Sequence, residues 1–517
     1  MATTAPSEER ASGYAWYVLG ILFLVYILNF IDRQIISILA EDIKRDLHLQ
    51  DEDLGFLYGT AFGVFYSLFG IPLGRLADNW HRVRLMTVGL ALWSAMTALS
   101  GLSRTGTHLA LARVGVGIGE ATASPGAYSL ISDWFPRRLR ATALSIYSAG
   151  LYVGGGCSLF IGGLIVQNWN RAYPAGGPLG LVGWQAAFLA VGLPGLLVAL
   201  WIATLREPVR GQSEGLAQAP HPTPFRAFGD DLVTILPPLT LIGAARRGVR
   251  PLAANLLALG LVVLAVATLV RSGEPLPQWA AVGLGVYAVY SWAAALRTRD
   301  PASFRLIIGT PAFIATVVGY GLNAFLSYAA SFWAAPYAIR VLKAAPADAG
   351  FFIGGAGALA GFLGVTIGGT IADRLRRRYA NGRLLVVIFG AVVPLPFLFT
   401  AFTAASLSTF YVCVFLAQIT ASCALGAAAA TTQDLVLPRM RGTATATFFL
   451  GTTLLGLALG PYLAGRISTL SGSLSTGMIS LLAVTPITLA AALIAWRLVP
   501  AAEATREARA RLAGEDI

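Results

Sequence analysis

Asp32 and Arg33 stand side by side in the apolar stretch YILNFIDRQIISIL, residues 26–39. A charge inside a membrane-spanning helix is costly unless it meets a partner or water. Glu120, in RVGVGIGEA (113–121), is another carboxylate in an apolar run, and Arg113 opens that same stretch. A carboxylate held near an arginine in a low-dielectric cavity changes its proton affinity when either group moves. Asp32 and Glu120 are therefore the candidate proton-coupling acids. Arg33 and Glu120 form the candidate site for an anionic substrate head group, with two acids against one base leaving a titratable excess. The static alternative is an ion pair that fixes helix packing. Tyr58, Tyr147, Asn323, Tyr328 and Gln418, polar or aromatic residues within apolar runs, are further candidate cavity residues.

The elements that must position these groups are membrane helices. Of 517 residues 56% are hydrophobic and only 12% charged, and mean hydropathy is +0.69. Soluble chains carry about 25% charged residues. Apolar runs long enough to span a bilayer recur throughout. The chain reads as an all-α polytopic membrane protein with spans at 14–40, 53–73, 85–103, 108–132, 141–167 and 183–204, then 306–336, 347–371, 384–403, 408–432, 443–466 and 476–499. Two more runs, 252–270 and 278–296, lie between these sets, giving fourteen spans; the alternative is twelve, with the middle pair inside a cytoplasmic linker. The stretch 232–243, broken by Pro237-Pro238, is expected to lie at the interface.

Arginine sets the orientation. GRLADNWHRVR (74–84), DWFPRRLR (133–140), DRLRRRYANGR (373–383) and LPRMRG (437–442) are Arg-rich, whereas the opposite connections are poor in positive charge and 41–53 is mainly acidic. Positive loops stay inside, so both termini are expected in the cytoplasm. The expected layout is a tail (1–13), an N-terminal six-helix bundle (14–205), a linker with the inserted pair (206–305), a C-terminal bundle (306–499) and a second tail (500–517).

Two motifs recur. Gly74, Ala77, Asp78 and Arg82 match Gly369, Ala372, Asp373 and Arg377; Asp133, Arg138, Arg140 and Thr142 match Asp434, Arg439, Arg441 and Thr443. The same six-helix unit is thus used twice in one orientation, a plan in which substrates bind near the midplane between halves. Gly74, Asp78, Arg82, Arg138, Arg140 and their counterparts Gly369, Asp373, Arg377, Arg439, Arg441 are candidates for a charge latch that holds one conformation. The alternative is a positive loop without a switching role. The glycine-rich stretches 149–163 and 456–465 read as close-packing seams.

These loop copies resemble the signature of the major facilitator superfamily. NFIDR (29–33), RVGVGIGEA (113–121), SLISDWFPRRLRATALSIY (129–147) and LREPVRG (205–211) together look like its spinster-like branch. The resemblance implies a proton-linked carrier of lysophospholipid or sphingosine-phosphate type amphipaths, with Asp32, Arg33 and Glu120 as the functional cluster; the Arg- and Ala-rich residue usage points to a bacterium, so the expected location is a bacterial inner membrane. Asn79 and His81 differ from the usual loop pattern, and the inserted pair is not a usual spinster feature.

Other classes fit less well. The net charge of +12 lies mostly in short loops, so nucleic acid is not an expected partner. His48, His81, His108 and His221 have no metal-site spacing, and Cys157, Cys413 and Cys423 have no CxxC partner. No cofactor, metal or enzymatic centre is expected, and the default state is a monomer. The expected activity is transport of an amphipathic anionic lipid with protons by alternating access; the alternative cargo is a sugar acid, small organic anion or drug.

Overall fold

The computed structural model describes residues 11–174, 176–211 and 222–515; the expected N-terminal tail up to residue 10, His221 and the last two residues of the chain fall outside it. Among the described residues the structure is helical. The N-terminal half comprises α1 (Gly13–Asp46), α2 (Asp51–Gly55), α3 (Ala61–Asn79), α4 (Arg82–Ser100), α5 (Gly106–Glu120), α6 (Ala123–Trp134), α7 (Arg137–Ala172) and α8 (Gly183–Ala203). Between the halves lie α9 (Pro224–Ile235), α10 (Leu239–Arg246), α11 (Val249–Arg271), α12 (Leu276–Arg299) and α13 (Pro301–Ile307). The C-terminal half has α14 (Pro311–Arg340), α15 (Pro346–Arg378), α16 (Gly382–Val392), α17 (Pro394–Ala401), α18 (Leu407–Asp434), α19 (Arg441–Thr452), α20 (Gly460–Ser471), α21 (Leu474–Ser480), α22 (Thr485–Ala504) and α23 (Arg506–Arg511).

Thirteen helical stretches are long and apolar enough to cross a membrane. Several outrun the apolar runs that announce them. At 1.5 Å per residue α1 is about 50 Å long, against a hydrocarbon core of about 30 Å, so its acidic end stands clear of the apolar layer. The run 108–132 is the exception: it is broken at Ala121 and Thr122 into α5 and α6. The first C-terminal span also starts later than the apolar run, at Pro311 rather than 306, because α13 forms a separate short helix. α9 (12 residues) and α10 (8 residues) meet at 99° around Pro237-Pro238, so they form no straight helix, and each alone is shorter than the about 20 residues of a crossing. Side-chain caps close several starts: Ser12 on the Ala15 N–H, Thr105 on His108 and Asp300 on Ser303.

The halves join unevenly. On the face carrying 41–53 and 467–475, one apolar core runs through both, with Leu39, Leu54 and Leu57 packed in the same cluster as Phe332, Trp333 and Leu457. Toward the Arg-rich face Leu306, Phe313, Leu384 and Phe448 form a core of the C-terminal half alone, and Leu73, Leu76 and Leu85 one of the N-terminal half. Close approach sustains the shared part. A methyl on Gly156 would sit 2.8 Å from the Gly354 carbonyl, so α7 and α15 touch where only glycine fits, as the seam reading of 149–163 anticipates.

Candidate functional site

α1 and α5 meet at the charged residues. Arg33 donates to Glu120 Oε2 from Nε at 3.2 Å and from Nη2 at 2.8 Å. The Glu120 side chain is fully buried and that of Arg33 is 11% exposed. Glu120 is the last residue of α5, where the helix dipole disfavours a carboxylate, so the arginine is what makes the position tolerable. The break beyond it is local chemistry. Pro125 has no N–H to continue a ladder, and the Thr122 hydroxyl bonds the Gly119 carbonyl at 2.8 Å. Gly119 presses on α4, where a methyl would meet the Trp93 nitrogen at 2.8 Å.

One count changes. Arg113, which the sequence places toward the outer side of its span, joins the cluster: it donates to the backbone carbonyls of Asp32 at 3.0 Å and Arg33 at 3.4 Å and is fully buried. The site therefore holds two acids and two bases, and the titratable excess inferred from the sequence disappears. The four charges cancel, yet Asp32 has no ion pair among the described residues, and its Oδ1 and Glu120 Oε1 have no hydrogen-bond partner. Thr97 lies beside Asp32 and Asn29 beside Glu120.

Aromatic rings surround the Arg33 guanidinium: Phe30 at 4.8 Å, Phe62 at 4.6 Å and Tyr66 at 4.9 Å from their centroids. Such cation–π contacts stabilise a desolvated cation by about 0.5–2 kcal/mol each. Tyr26, Phe30 and Arg33 follow one face of α1, and Phe62 and Tyr66 one face of α3; the i, i+4 spacing carries the signal that reveals them.

Of the candidate cavity residues, Tyr58 is buried between the halves, bonded to Gln34 at 2.9 Å and stacked on Phe332 at 4.5 Å. Tyr147 is buried and stacked on Tyr26 at 4.3 Å. Tyr328 lies within electrostatic range of Arg33. Asn323 is buried on α14, and the Gln418 side chain bonds Ser422 of its own helix, at 3.4 Å; among the described residues no side-chain bond draws either into the cluster.

The latch residues separate into two kinds. Arg82 is a fully buried hub: Nε donates to Glu207 at 2.7 Å, Nη1 to Ser129 Oγ at 2.9 Å and to Asp133, and Nη2 to the Pro208 carbonyl at 2.9 Å. The counterpart expected from spacing, Arg377, is exposed and forms no ion pair among the described residues. Arg383 holds that place instead, pairing with Asp434 and with Asp373 at 3.1 Å. Arg82–Asp133 and Arg383–Asp434 lie at one offset; Arg377 drops out because α15 runs five residues past Asp373 whereas α3 stops one past Asp78. Asp78 is exposed, with Arg75, Arg82 and Arg210 nearby. Arg439 pairs with Asp300 at 2.8 Å and with Glu515; Arg140 bonds the Ser132 carbonyl at 3.0 Å; Arg138 and Arg441 are exposed. A methyl on Gly74 would meet only Pro125, at 3.9 Å, and one on Gly369 nothing.

The acidic face carries a network that the sequence reading leaves out. Arg340 of α14 donates to Glu41 of α1 at 2.8 Å and to Asp51 of α2 at 2.6 and 2.7 Å. Lys44 and Ser468 also hold Asp51, at 2.5 and 2.6 Å. On the Arg-rich face no ion pair joins the two halves among the described residues.

A family model described as Major Facilitator Superfamily matches residues 22–393; the chain belongs to that superfamily. An MFS-type efflux pump of Mycolicibacterium smegmatis is 28% identical over 465 residues, covering 90% of this chain and 87% of the pump. Protein spinster of Drosophila melanogaster is 24% identical over 478 residues, covering 90% of this chain and 64% of that protein. The crystal structure of a bacterial homologue of the human lysosomal transporter spinster, inward-facing and unoccupied, is 25% identical and superposes with a TM-score of 0.68 over 97% of this chain and 99% of the other. The protein is accordingly a membrane transporter of spinster type rather than an enzyme.

Proposed function

We propose that the protein is a proton-coupled secondary transporter that moves an amphipathic anionic lipid, of lysophospholipid or sphingosine-phosphate type, by alternating access across a bacterial inner membrane. The observation that carries this reading is the Arg33–Glu120 pair: a desolvated cation ringed by Phe30, Phe62 and Tyr66, tied to a carboxylate with one unpartnered oxygen. Protonating Glu120 releases Arg33 to an anionic head group, while the apolar rings suit the chain next to it. With the Arg-rich face in the cytoplasm, the acidic face is the closed outer gate, and the conformation is inward-facing. Protons and the substrate are the only partners, and one chain suffices.

A second reading keeps the fold and the protons and changes the cargo to a drug, a sugar acid or another small organic anion. The similarity to an efflux pump over 90% of this chain favours it. The test is substrate-induced proton movement in proteoliposomes with an internal pH dye. A lysophospholipid, sphingosine-1-phosphate, a cationic dye and a sugar acid are applied separately to parent and Glu120→Gln. Flux with a lipid that vanishes in the variant supports the first reading. Flux only with dye or sugar acid replaces the cargo. Equal flux in both proteins would sink coupling through Glu120.

A further inference from the structure

The inserted hairpin α11–α12 poses a problem that lipid makes sharper. In water, burying apolar side chains would explain why it packs where it does. In a bilayer the tails are as apolar as leucine, so helix association has no hydrophobic drive. Something else must hold the hairpin, and its place must have a use.

The fastenings are polar and sit at both ends. At the turn, Glu274 accepts from Tyr462 at 2.9 Å, from Trp279 at 3.0 Å and from Arg466 Nε at 3.3 Å. Arg466 also donates to the Gly273 carbonyl at 2.9 Å and to Glu52 at 2.7 Å. One guanidinium thus ties together the hairpin, α20 of the C-terminal half and α2 of the N-terminal half. At the other end Asp231 of α9 bonds Arg299 of α12 at 3.1 Å and lies 3.5 Å from Arg75 of α3.

Between the fastenings α12 lies over the seam where α3 meets α19 and the stretch 453–459 that joins α19 to α20. Ala288 and Trp292 share one buried cluster with Val64 and Leu68 of α3 and Ala458 of the C-terminal half, edged by Phe65, Phe69 and Leu454. A methyl on Gly285 would meet Leu454 at 3.0 Å and Val64 at 3.5 Å, one residue from each half. α11 covers α12 from outside and keeps Leu257, Leu261, Val263 and Leu264 exposed, as a lipid-facing helix does.

We propose that the hairpin is a lateral seal: it closes the seam between α3 and the stretch from α19 to residue 459 to the bilayer, so that lipid tails do not enter the space between the halves from this side. The inference rests on the alternating-access reading but not on the cargo. The seal makes the route of entry a determinant of which amphipaths reach Arg33.

The test is photolabelling in vesicles containing a phosphatidylcholine with a diazirine in mid-chain, read by peptide mass spectrometry. In the parent, peptides of α11 label strongly, whereas those covering 61–72 and 453–462 label weakly. The double variant Glu274→Gln/Gly285→Leu removes the charge at the turn and wedges the middle, and it is expected to raise labelling of both seam peptides several-fold. Seam peptides that label as strongly as α11 in the parent would overturn the seal, whether or not the variant folds. Unchanged seam labelling in a folded variant would overturn it too. Loss of the lipid-cargo reading would leave this labelling pattern untouched.

Discussion

Replacing Arg340 by Gln should partly open the acidic face. Arg340 bridges the halves with five hydrogen bonds, three to Glu41 and two to Asp51. The Arg340 and Glu41 side chains are 25% and 22% exposed, so that pair contributes at most about 1 kcal/mol. Asp51 is 4% exposed, and charged hydrogen bonds of that kind are worth about 1.5–3 kcal/mol. Asp51 keeps Lys44 and Ser468 when the arginine goes, so it is not orphaned, and a net loss of about 2 kcal/mol is the reasonable sum. That is roughly a 30-fold shift in the closed-to-open ratio. An open state at about 1% would rise to about a quarter of the molecules.

The assay is a spin–spin distance distribution between labels at Leu102 and Leu470, both exposed on this face, with Cys157, Cys413 and Cys423 replaced. Arg340→Gln should add a longer component of about that size. Molar salt, which shortens the Debye length to about 3 Å, should push the parent the same way and move the variant less, through the remaining Arg466–Glu52 pair. An unchanged distribution in a folded variant would refute the reasoning. The Arg466–Glu52 and Ser468–Asp51 bonds, with the apolar packing of Leu57 and Leu457, would then hold this face closed without Arg340.

Arg82→Gln and Arg383→Gln should each loosen the Arg-rich end of their own half, seen as faster hydrogen exchange over 129–134 with 205–211 and over 373–384 with 430–436. Arg377→Gln should match the parent; an Arg377 effect as large as that of Arg383 would restore the counterpart expected from spacing. Asp300 gives a pH prediction. Burial pushes its carboxyl up, but hydrogen bonds from Arg439 and Ser303 outweigh this and hold it at about 2. A depressed folded value contributes stability that is fully present above the unfolded value near about 3.9 and lost as pH falls through about 2. The thermal-stability gap between parent and Asp300→Asn should therefore stay flat through neutral pH and narrow only below about pH 4; a gap that changes near neutrality would assign it to another group.

Much of this architecture is legible from the sequence because the bilayer enforces one rule, about 20 apolar residues per crossing. The duplicated loops give the parallel halves, and Asp32, Arg33 and Glu120 declare themselves by their cost. The rest depends on information that spacing does not carry. Arg113 enters the cluster because its long side chain reaches the carbonyls of residues 32 and 33 on another helix. Arg383 replaces Arg377 because helix length, not distance from an aspartate, sets where the next helix begins. The acidic-face network joins residues nearly 300 positions apart, and Arg340 shows no local feature that distinguishes it from a helix-end arginine. Tyr58 reads from sequence as a cavity residue or a packed one; here it is buried, stacked on Phe332 and bonded to Gln34.

The same geometry separates the two acids of the cluster. Glu120 is bonded to Arg33 through one oxygen, so a proton on Glu120 removes the charge that holds the arginine. Among the described residues Asp32 meets no cation side chain within ion-pair distance, and Arg113 beside it is anchored by backbone carbonyls that a proton on Asp32 does not alter. A proton there changes the local charge while leaving every bond of Arg33 in place. Glu120→Gln should accordingly free Arg33 permanently: binding of an anionic ligand becomes independent of pH, and proton-driven accumulation is lost. Asp32→Asn should leave the Arg33–Glu120 pair formed and ligand binding still pH-dependent, with the midpoint displaced because a neighbouring negative charge has gone. Tryptophan-quenching titrations of the two variants against a lysophospholipid, repeated across pH, read this difference directly. If Asp32→Asn abolished the pH dependence and Glu120→Gln kept it, the coupling acid would be Asp32, and the Arg33–Glu120 bond would be a fixed strut between α1 and α5.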